Sequence, residues 1–254
     1  MPVLPGAEPY HREGGPVGVL LCHGFTGTPQ SLRPWAEHLA AAGLTVALPR
    51  LPGHGTTWQE MSRTRWEDWY AELDKTFADL LGRCAEVFVC GLSLGGCLAL
   101  RLAEVHGPAV RGVVAVNPSI TSDVPLLRLA PLLKLVLPSV PGVAGDIKRP
   151  GVTELAYSRT PVRAAATLPR LWSLVQARLN LVTQPLLVYH SPQDHVVKPT
   201  SVRILRERLT GGNLSVVELA DSYHVATLDN DAGEIFAGSL EFIRTHASVP
   251  LQRD

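Results

Sequence analysis

The sequence offers no excess of charge of either sign. Its 254 residues hold 23 Lys+Arg against 23 Asp+Glu, a formal net charge of zero, and no basic run. A polyanion is bound by a concentration of cations, so nucleic acid is excluded as the main partner. Charged residues make up only 18% of the chain and hydrophobic residues 46%, the opposite of a disordered composition. Cysteine is scarce: Cys22, Cys84, Cys90 and Cys97 form no C-x-x-C pair, which argues for buried thiols rather than a metal site or a disulfide framework. Long apolar runs are also missing. The best candidate for a membrane span, Val124 to Val143, is interrupted by Arg128, Lys134 and four prolines. The first residues, MPVLPGAEPYHREGG, lack the cationic start and apolar stretch of a signal peptide. The expectation is a soluble cytoplasmic protein.

What the chain does have is a serine at a corner. Val87 to Leu100 reads VFVCGLSLGGCLAL: a β-rich apolar run, a turn at Gly91-Leu92-Ser93-Leu94-Gly95, then small and apolar residues at helical spacing. Glycines on either side of Ser93 remove the Cβ atoms that would collide in so sharp a reversal. A serine on such a strand–turn–helix corner is the G-x-S-x-G nucleophile elbow of α/β-hydrolases.

The surrounding pattern alternates strands and helices. Val17–Cys22, Leu44–Leu48, Glu86–Cys90, Val110–Val116, Pro185–Tyr189 and Leu214–Leu219 are short apolar runs suited to strands buried on both faces of a parallel sheet. Between them, helices are expected from Thr28 as cap with Pro29 at the first position to Gly43, and from a Thr64/Glu67 capping box to about Leu81. Others run from the elbow to about His106, from about Pro199 to Leu209, and from Ala232 to His246 with Asp231 as cap and Glu234 three residues on. Asn117 to Gln184 shows no convincing strand, many prolines and amphipathic pieces such as LLRLAPLLKLVLP and LPRLWSLVQARL. The fold class expected is α/β, a mostly parallel central sheet with helices on both faces: residues 1–116 and 185–254 form the core, and 117–184 a small inserted helical cap. Few residues precede Val17, so the first strands of such a sheet should be short or missing.

In an open parallel sheet, functional groups collect at the carboxyl ends of the strands. Those ends carry His23-Gly24-Phe25, Ser93, Asp194 and His224. The order Ser…Asp…His is that of the hydrolase-fold triad. Serine is a poor nucleophile until a base removes its proton, which assigns His224 as base and later acid, and Asp194 as the carboxylate that orients the imidazole. Asp123 and Asp221 are the rival carboxylates. His195 adjoins Asp194 and is badly placed to receive its carboxylate, and Asp229 and Asp231 read as loop-shaping and helix-capping residues. The oxyanion formed on attack needs preorganised donors, for which the backbone N–H groups of Leu94 and Phe25 are the candidates. His23, in the same motif, reads as a structural hydrogen-bonder.

Taken together, HGFTGTPQS (23–31), PRLPGHG (49–55), RWEDWY (65–70), GLSLGG (91–96), ELAYSRTP (154–161), SPQDHVV (191–197) and SYHVATLD (222–229) resemble the bacterial carboxylesterase and monoacylglycerol lipase family over nearly the whole chain. The resemblance implies hydrolysis of carboxylic esters with no cofactor, through Ser93, Asp194 and His224, with Phe25 and Leu94 as oxyanion donors. It also implies a polar cap residue that reads a glycerol head, for which Glu154 is the candidate. The partners expected are a small acyl ester and, transiently, lipid aggregates. Leu126, Leu127, Leu129, Leu132, Leu133, Leu135, Val136 and Leu137 offer apolar surface for an acyl chain. A thioesterase, an acyltransferase or a carbon–carbon bond hydrolase would use the same triad, and a non-catalytic ligand-binding protein of this fold is the alternative of a different class.

Overall fold

Seven strands form the central sheet of this computed structural model, which describes residues 2–123, 133, 136–209 and 213–252. They are β1 (Tyr10–Arg12), β2 (Val17–Cys22), β3 (Thr45–Leu48), β4 (Glu86–Leu92), β5 (Val110–Val116), and, after two strands outside this sheet, β8 (Leu186–His190) and β9 (Leu214–Glu218). The spatial order is β1-β3-β2-β4-β5-β8-β9. All neighbours are parallel except β1, three residues long and antiparallel to β3. This matches the short start expected of the sheet.

Alternation along the strands sorts their side chains onto two faces. Leu20, Val87, Val89, Val113, Ala115 and Val188 enter one apolar cluster, and Val19, Leu21, Phe88, Cys90, Val114 and Val116 the other. Two-sided burial is why these strands read as continuous apolar runs. Helix α1 (Arg33–Ala41) covers the second face with Trp35 and Leu39. After the short α2 (Trp58–Met61), helices α3 (Trp66–Leu81) and α4 (Leu94–His106) cover the first with Trp69, Leu73, Phe77, Leu98 and Leu102.

The segment between β5 and β8 leaves the sheet. The expectation of no strand there is corrected: β6 (Ser139–Pro141) and β7 (Arg159–Pro161) pair antiparallel, each ending in proline and only three residues long, too brief to show as a period-two pattern. Helices α5 (Val162–Ala165) and α6 (Leu168–Gln176) follow, the latter burying Leu171, Trp172 and Val175. Of the leucine-rich stretch, residues 124–132 and 134–135 lie outside the described residues. Val136 and Leu137 are exposed, and Leu133 contributes to the cleft described below. Helix α7 (Thr200–Arg208) returns to the first face, and α8 (Ala232–His246) packs Ile235, Leu240 and Ile243 on the second. Among the described residues no helix is long and apolar enough to cross a membrane.

Three expected caps differ, two of them because the side chain has other partners. Thr28 opens a 3-10 turn, Pro29–Leu32, and α1 starts only at Arg33; the Thr28 hydroxyl makes no capping bond. Thr64 Oγ1 donates to the Met61 carbonyl and accepts from the Trp69 indole, so α3 begins one residue later, where Asp68 accepts from the Arg65 N–H at 2.9 Å. Asp231 holds the N-cap position of α8, but its carboxylate accepts from the Asp221 N–H instead.

Close approach of α4 to the sheet depends on glycine. A Cβ on Gly95 would sit 1.9 Å from the Cys22 carbonyl oxygen at the end of β2, and one on Gly91 would sit 2.3 Å from the Gly95 backbone. Both obstacles are main chain and cannot rotate away. Gly233 in α8 has nothing within 4 Å of its missing Cβ. Gly95→Ala is therefore expected to lose about 3 kcal/mol or more of stability. Gly233→Ala should gain about 0.5 kcal/mol through reduced backbone freedom in the unfolded chain. Urea midpoints of the two variants measure the contrast.

Candidate active site

The register of the parallel strands sets the site. Cys22 aligns with Gly91, Leu92 with Val116, Val116 with Tyr189, and His190 with Glu218, so five strands end at one edge. The loops leaving that edge carry the residues singled out in the sequence, and Phe25, Ser93, Leu94, Glu154 and His224 all line one cleft of about 480 Å³.

Ser93 occupies the corner between β4 and α4 with φ 55° and ψ −116°, a left-handed conformation that costs a non-glycine residue on the order of 1–3 kcal/mol. The strain is held by main-chain bonds: the Ser93 N–H donates to the Val116 carbonyl at 2.9 Å, and the Ser93 carbonyl accepts from Cys97 and Ser119 N–H. Leu94 follows as the first residue of α4, at the positive end of the helix dipole. A Cβ on Gly24 would lie 3.5 Å from the Ser93 Cβ, so the loop after β2 passes at contact distance from the serine.

That loop is fixed by His23. Its Nδ1–H donates to the Gly24 carbonyl at 3.0 Å, and its Nε2 accepts the Leu51 N–H at 3.2 Å. The carbonyl of Gly24 and the N–H of Phe25 belong to one peptide unit and point oppositely when it is trans, as every described peptide here is. Holding the carbonyl therefore aims the Phe25 N–H. His23 bears out its reading as a structural hydrogen-bonder.

His224 Nδ1 lies 2.7 Å from Asp194 Oδ2, both side chains buried. The other Asp194 oxygen accepts from the Val196 and Val197 N–H groups, which turns Oδ2 toward the imidazole. The rival carboxylates are engaged elsewhere, Asp123 with the Thr200 hydroxyl and Asp221 with the Lys148 ammonium. His195 pairs with Asp146.

Electrostatics separates the buried histidines. Burial disfavours the His224 imidazolium, but the Asp194 hydrogen bond and the charges of Asp194, Glu154 and Asp146 outweigh it and raise the pKa above the ordinary imidazole value. Burial lowers His23 to about 4 and holds His54, beside it at 5.1 Å between ring centroids, well below its usual value. Glu154 is raised by burial, opposed by the Gly145 N–H it accepts and by His224.

Two residues at this edge escaped the sequence reading. Asn117, the first residue after β5, has φ 43° and is buried; it accepts the Ser191 N–H and donates to the Ser191 hydroxyl and the Tyr223 and His224 carbonyls. It joins the loops that bear Asp194 and His224. Its position at a strand's carboxyl end was the available signal. Tyr157 donates its backbone N–H to the Thr26 carbonyl and its hydroxyl to Gly53. Among the described residues no set of three or more His, Cys, Asp or Glu side chains converges on a metal position.

The sheet order, the serine corner and the strand-end cleft define the class, an α/β-hydrolase. The sequence pattern of the family described as serine aminopeptidase, S33, matches residues 17–231, and the chain belongs to that family. Despite that description, the curated relatives are named for esters. A thermostable monoacylglycerol lipase of Bacillus sp. (strain H-257) is 45% identical over 97% of this chain and 98% of its own. A carboxylesterase of Bacillus subtilis (strain 168) is 25% identical over 93% and 96%. Among solved structures, one from the LipS and LipT pair of metagenome-derived lipolytic enzymes is 41% identical, covers 96% of this chain and 100% of its own, and superposes with a TM-score of 0.94. A monoacylglycerol lipase of Paleococcus ferrophilus shares the fold, with a TM-score of 0.80 at 20% identity and coverage of 97% and 100%. The family resemblance expected from the motifs is borne out.

His23 is neutral in the fold and freely protonated near pH 6.5 when unfolded, so the unfolded chain takes up more protons as the pH falls from 6.5 to 4. Stability contributed by its neutral form is thus complete above about pH 6.5 and declines through that window, by about 3 kcal/mol for a depression of this size. Urea unfolding between pH 7 and 4 measures it. His54, also held low by burial, adds to the same slope, so His23→Asn should lessen it without removing it, and an unchanged slope removes the explanation.

Proposed function

We propose that the chain is a serine esterase that hydrolyses carboxylic esters, monoacylglycerols or short-to-medium-chain acyl esters, through an acyl-Ser93 intermediate. The observation that carries this reading is that Ser93, held at a strained corner, lines the same cleft as His224, whose ring is hydrogen-bonded to Asp194 behind it. Similarity to the Bacillus monoacylglycerol lipase supports the substrate class.

In this mechanism the Ser93 Oγ attacks the ester carbonyl as His224 Nε2 takes its proton. Asp194 holds the imidazole through Nδ1–H and stabilises the imidazolium. The oxyanion sits against the N–H groups of Phe25 and Leu94, each worth about 3–4 kcal/mol to the transition state. Collapse expels the alcohol, protonated by His224. Water, deprotonated by the same imidazole, then attacks the acyl-serine, and the carboxylic acid leaves as the serine recovers its proton. Residues 117–184 act as a cap: Leu133, Val140, Val162, Leu168 and Trp172 give the cleft an apolar wall for the acyl chain. Glu154, its carboxylate in the cleft and accepting from Gly145, is placed to accept hydrogen bonds from the hydroxyls of a glycerol head.

A fluorophosphonate probe is expected to label the wild type and not Ser93→Ala; equal labelling of both sinks the assignment. Asp194→Asn should fold normally and lose about 10⁴-fold in kcat. Because the base works as the neutral imidazole and its pKa is raised, kcat/KM should fall on acidification with an acid limb above pH 6.5. For Glu154→Ala, KM should rise more for a 1-monoacylglycerol than for a p-nitrophenyl ester, and equal changes remove it from head-group recognition. Faster turnover of acyl-CoA than of either ester would replace the esterase reading with a thioesterase.

A further inference from the structure

Asp146 lies in the segment between β5 and β8, remote in sequence from Ser93, Asp194 and His224, yet its carboxylate meets both loops that carry the acid and the base. One oxygen, Oδ2, accepts the backbone N–H of His224 at 3.1 Å and that of His195 at 3.1 Å. The other, Oδ1, lies 2.8 Å from His195 Nδ1. The Asp146 carbonyl also accepts the Val225 N–H at 3.0 Å. The side chain is only 13% exposed. A single carboxylate oxygen therefore ties the main chain of the base to that of the residue following Asp194. A second link runs beside it: the His195 ring meets Tyr223, the neighbour of His224, edge to face at 4.5 Å.

Such a clamp has a consequence for chemistry beyond holding a loop. The Asp194–His224 bond spans two loops leaving different strands, and its length depends on their separation. Anchoring both backbones to one atom fixes that separation, and it puts a further negative charge beside an imidazole that must become cationic. We propose that Asp146 is a positioning residue for ester hydrolysis at Ser93, registering the acid and base loops against each other and stabilising the His224 imidazolium.

The inference rests on the esterase reading above. The charged and titratable groups facing His224 are Asp194 from the loop after β8, and Glu154 and Asp146 from the inserted segment, with His195 bound to Asp146. Asp146 and Glu154 both act to raise the His224 pKa, behind the Asp194 bond and charge. If Asp146 only fastened its own segment to the core, removing its charge while keeping its shape would leave the titration of the base unmoved.

The test compares Asp146→Ala and Asp146→Asn with wild type on p-nitrophenyl butyrate across pH 5–9, with fluorophosphonate labelling of Ser93 alongside. Asp146→Ala loses the clamp, and kcat should fall about 10- to 100-fold with a smaller change in KM, as for a misplaced catalytic group. Asp146→Asn keeps an amide oxygen for the two N–H donors and should recover most of that loss. Because the Asn variant removes a negative charge near His224, the acid limb of its kcat/KM profile should move to lower pH. An acid limb at the wild-type position in Asp146→Asn overturns the proposal, and that variant carries the test should the alanine variant fail to fold. Wild-type kcat in a folded Asp146→Ala overturns it equally. A wild type that neither turns over the ester nor labels at Ser93 removes the esterase reading and this proposal with it, whereas an active wild type with an unmoved limb removes the proposal alone.

Discussion

The contact between Gly95 and the end of β2 is the constraint on which the rest of the site depends. Without a side chain at Gly95, the first turn of α4 settles against the Cys22 carbonyl, and a single Cβ there would fall 1.9 Å from that oxygen. This approach brings the loop after β2 to contact distance from Ser93 and sets the Gly24–Phe25 peptide beside the helix start at Leu94. Backbone closeness sets the serine against the loop after β2, and the His23 side chain then fixes the orientation of the Gly24–Phe25 peptide within it. The strain in Ser93 follows from the same geometry, since the chain must turn from strand to helix within one residue.

Polar main-chain bonds, alongside the apolar packing of Ile147 and Tyr157, attach residues 145–157 to the strand-end edge. Asp229 accepts the Lys148 and Arg149 N–H groups as well as those of Tyr223 and Asn230. Asp146 accepts from His195 and His224, and Tyr157 donates to Thr26. Hydrogen bonds are directional where hydrophobic contact is not, so this attachment fixes orientation as well as proximity. The segment borders the cleft and could not be displaced as a body without breaking bonds to the loop that carries His224. Residues 145–149 and the loops bearing Asp194 and His224 form one hydrogen-bonded unit at this end of the sheet.

Much of the core was legible because its signals are local. Two-sided burial makes the inner parallel strands runs such as VGVLLC or VRGVVAV, whereas the edge strand β9 has no fully buried residue, and β2 and β5 coincide with the expected boundaries. The serine corner and the order of Ser93, Asp194 and His224 follow from residue types at strand ends. Helix starts were less readable, since Thr28, Thr64 and Asp231 are good caps by composition whose side chains find other partners in three dimensions or none. The strands β6 and β7 are three residues each and owe their pairing to one another across seventeen intervening residues, a non-local effect invisible in periodicity. Asn117 and Asp146 were missed for the same reason. Neither belongs to a motif, and each acquires its role only when separate loops converge on it.

The histidines show how far residue type underdetermines function. His23, His54 and His224 are all buried at the same end of the sheet, and burial alone pushes each toward the neutral form. His23 and His54 are bonded to backbone groups and lie near Arg50, whose charge drives them further down. His224 instead faces Asp194, Glu154 and Asp146, and the three carboxylates reverse the sign of the shift. A base that must accept a proton from serine gains from that reversal, because stabilising the imidazolium lowers the barrier to its formation. A structural histidine gains from the opposite, since a protonated His23 could no longer accept the Leu51 N–H and the loop after β2 would lose its anchor. The same side chain is thus kept neutral where it holds the loop and made readier to charge where it would perform the chemistry.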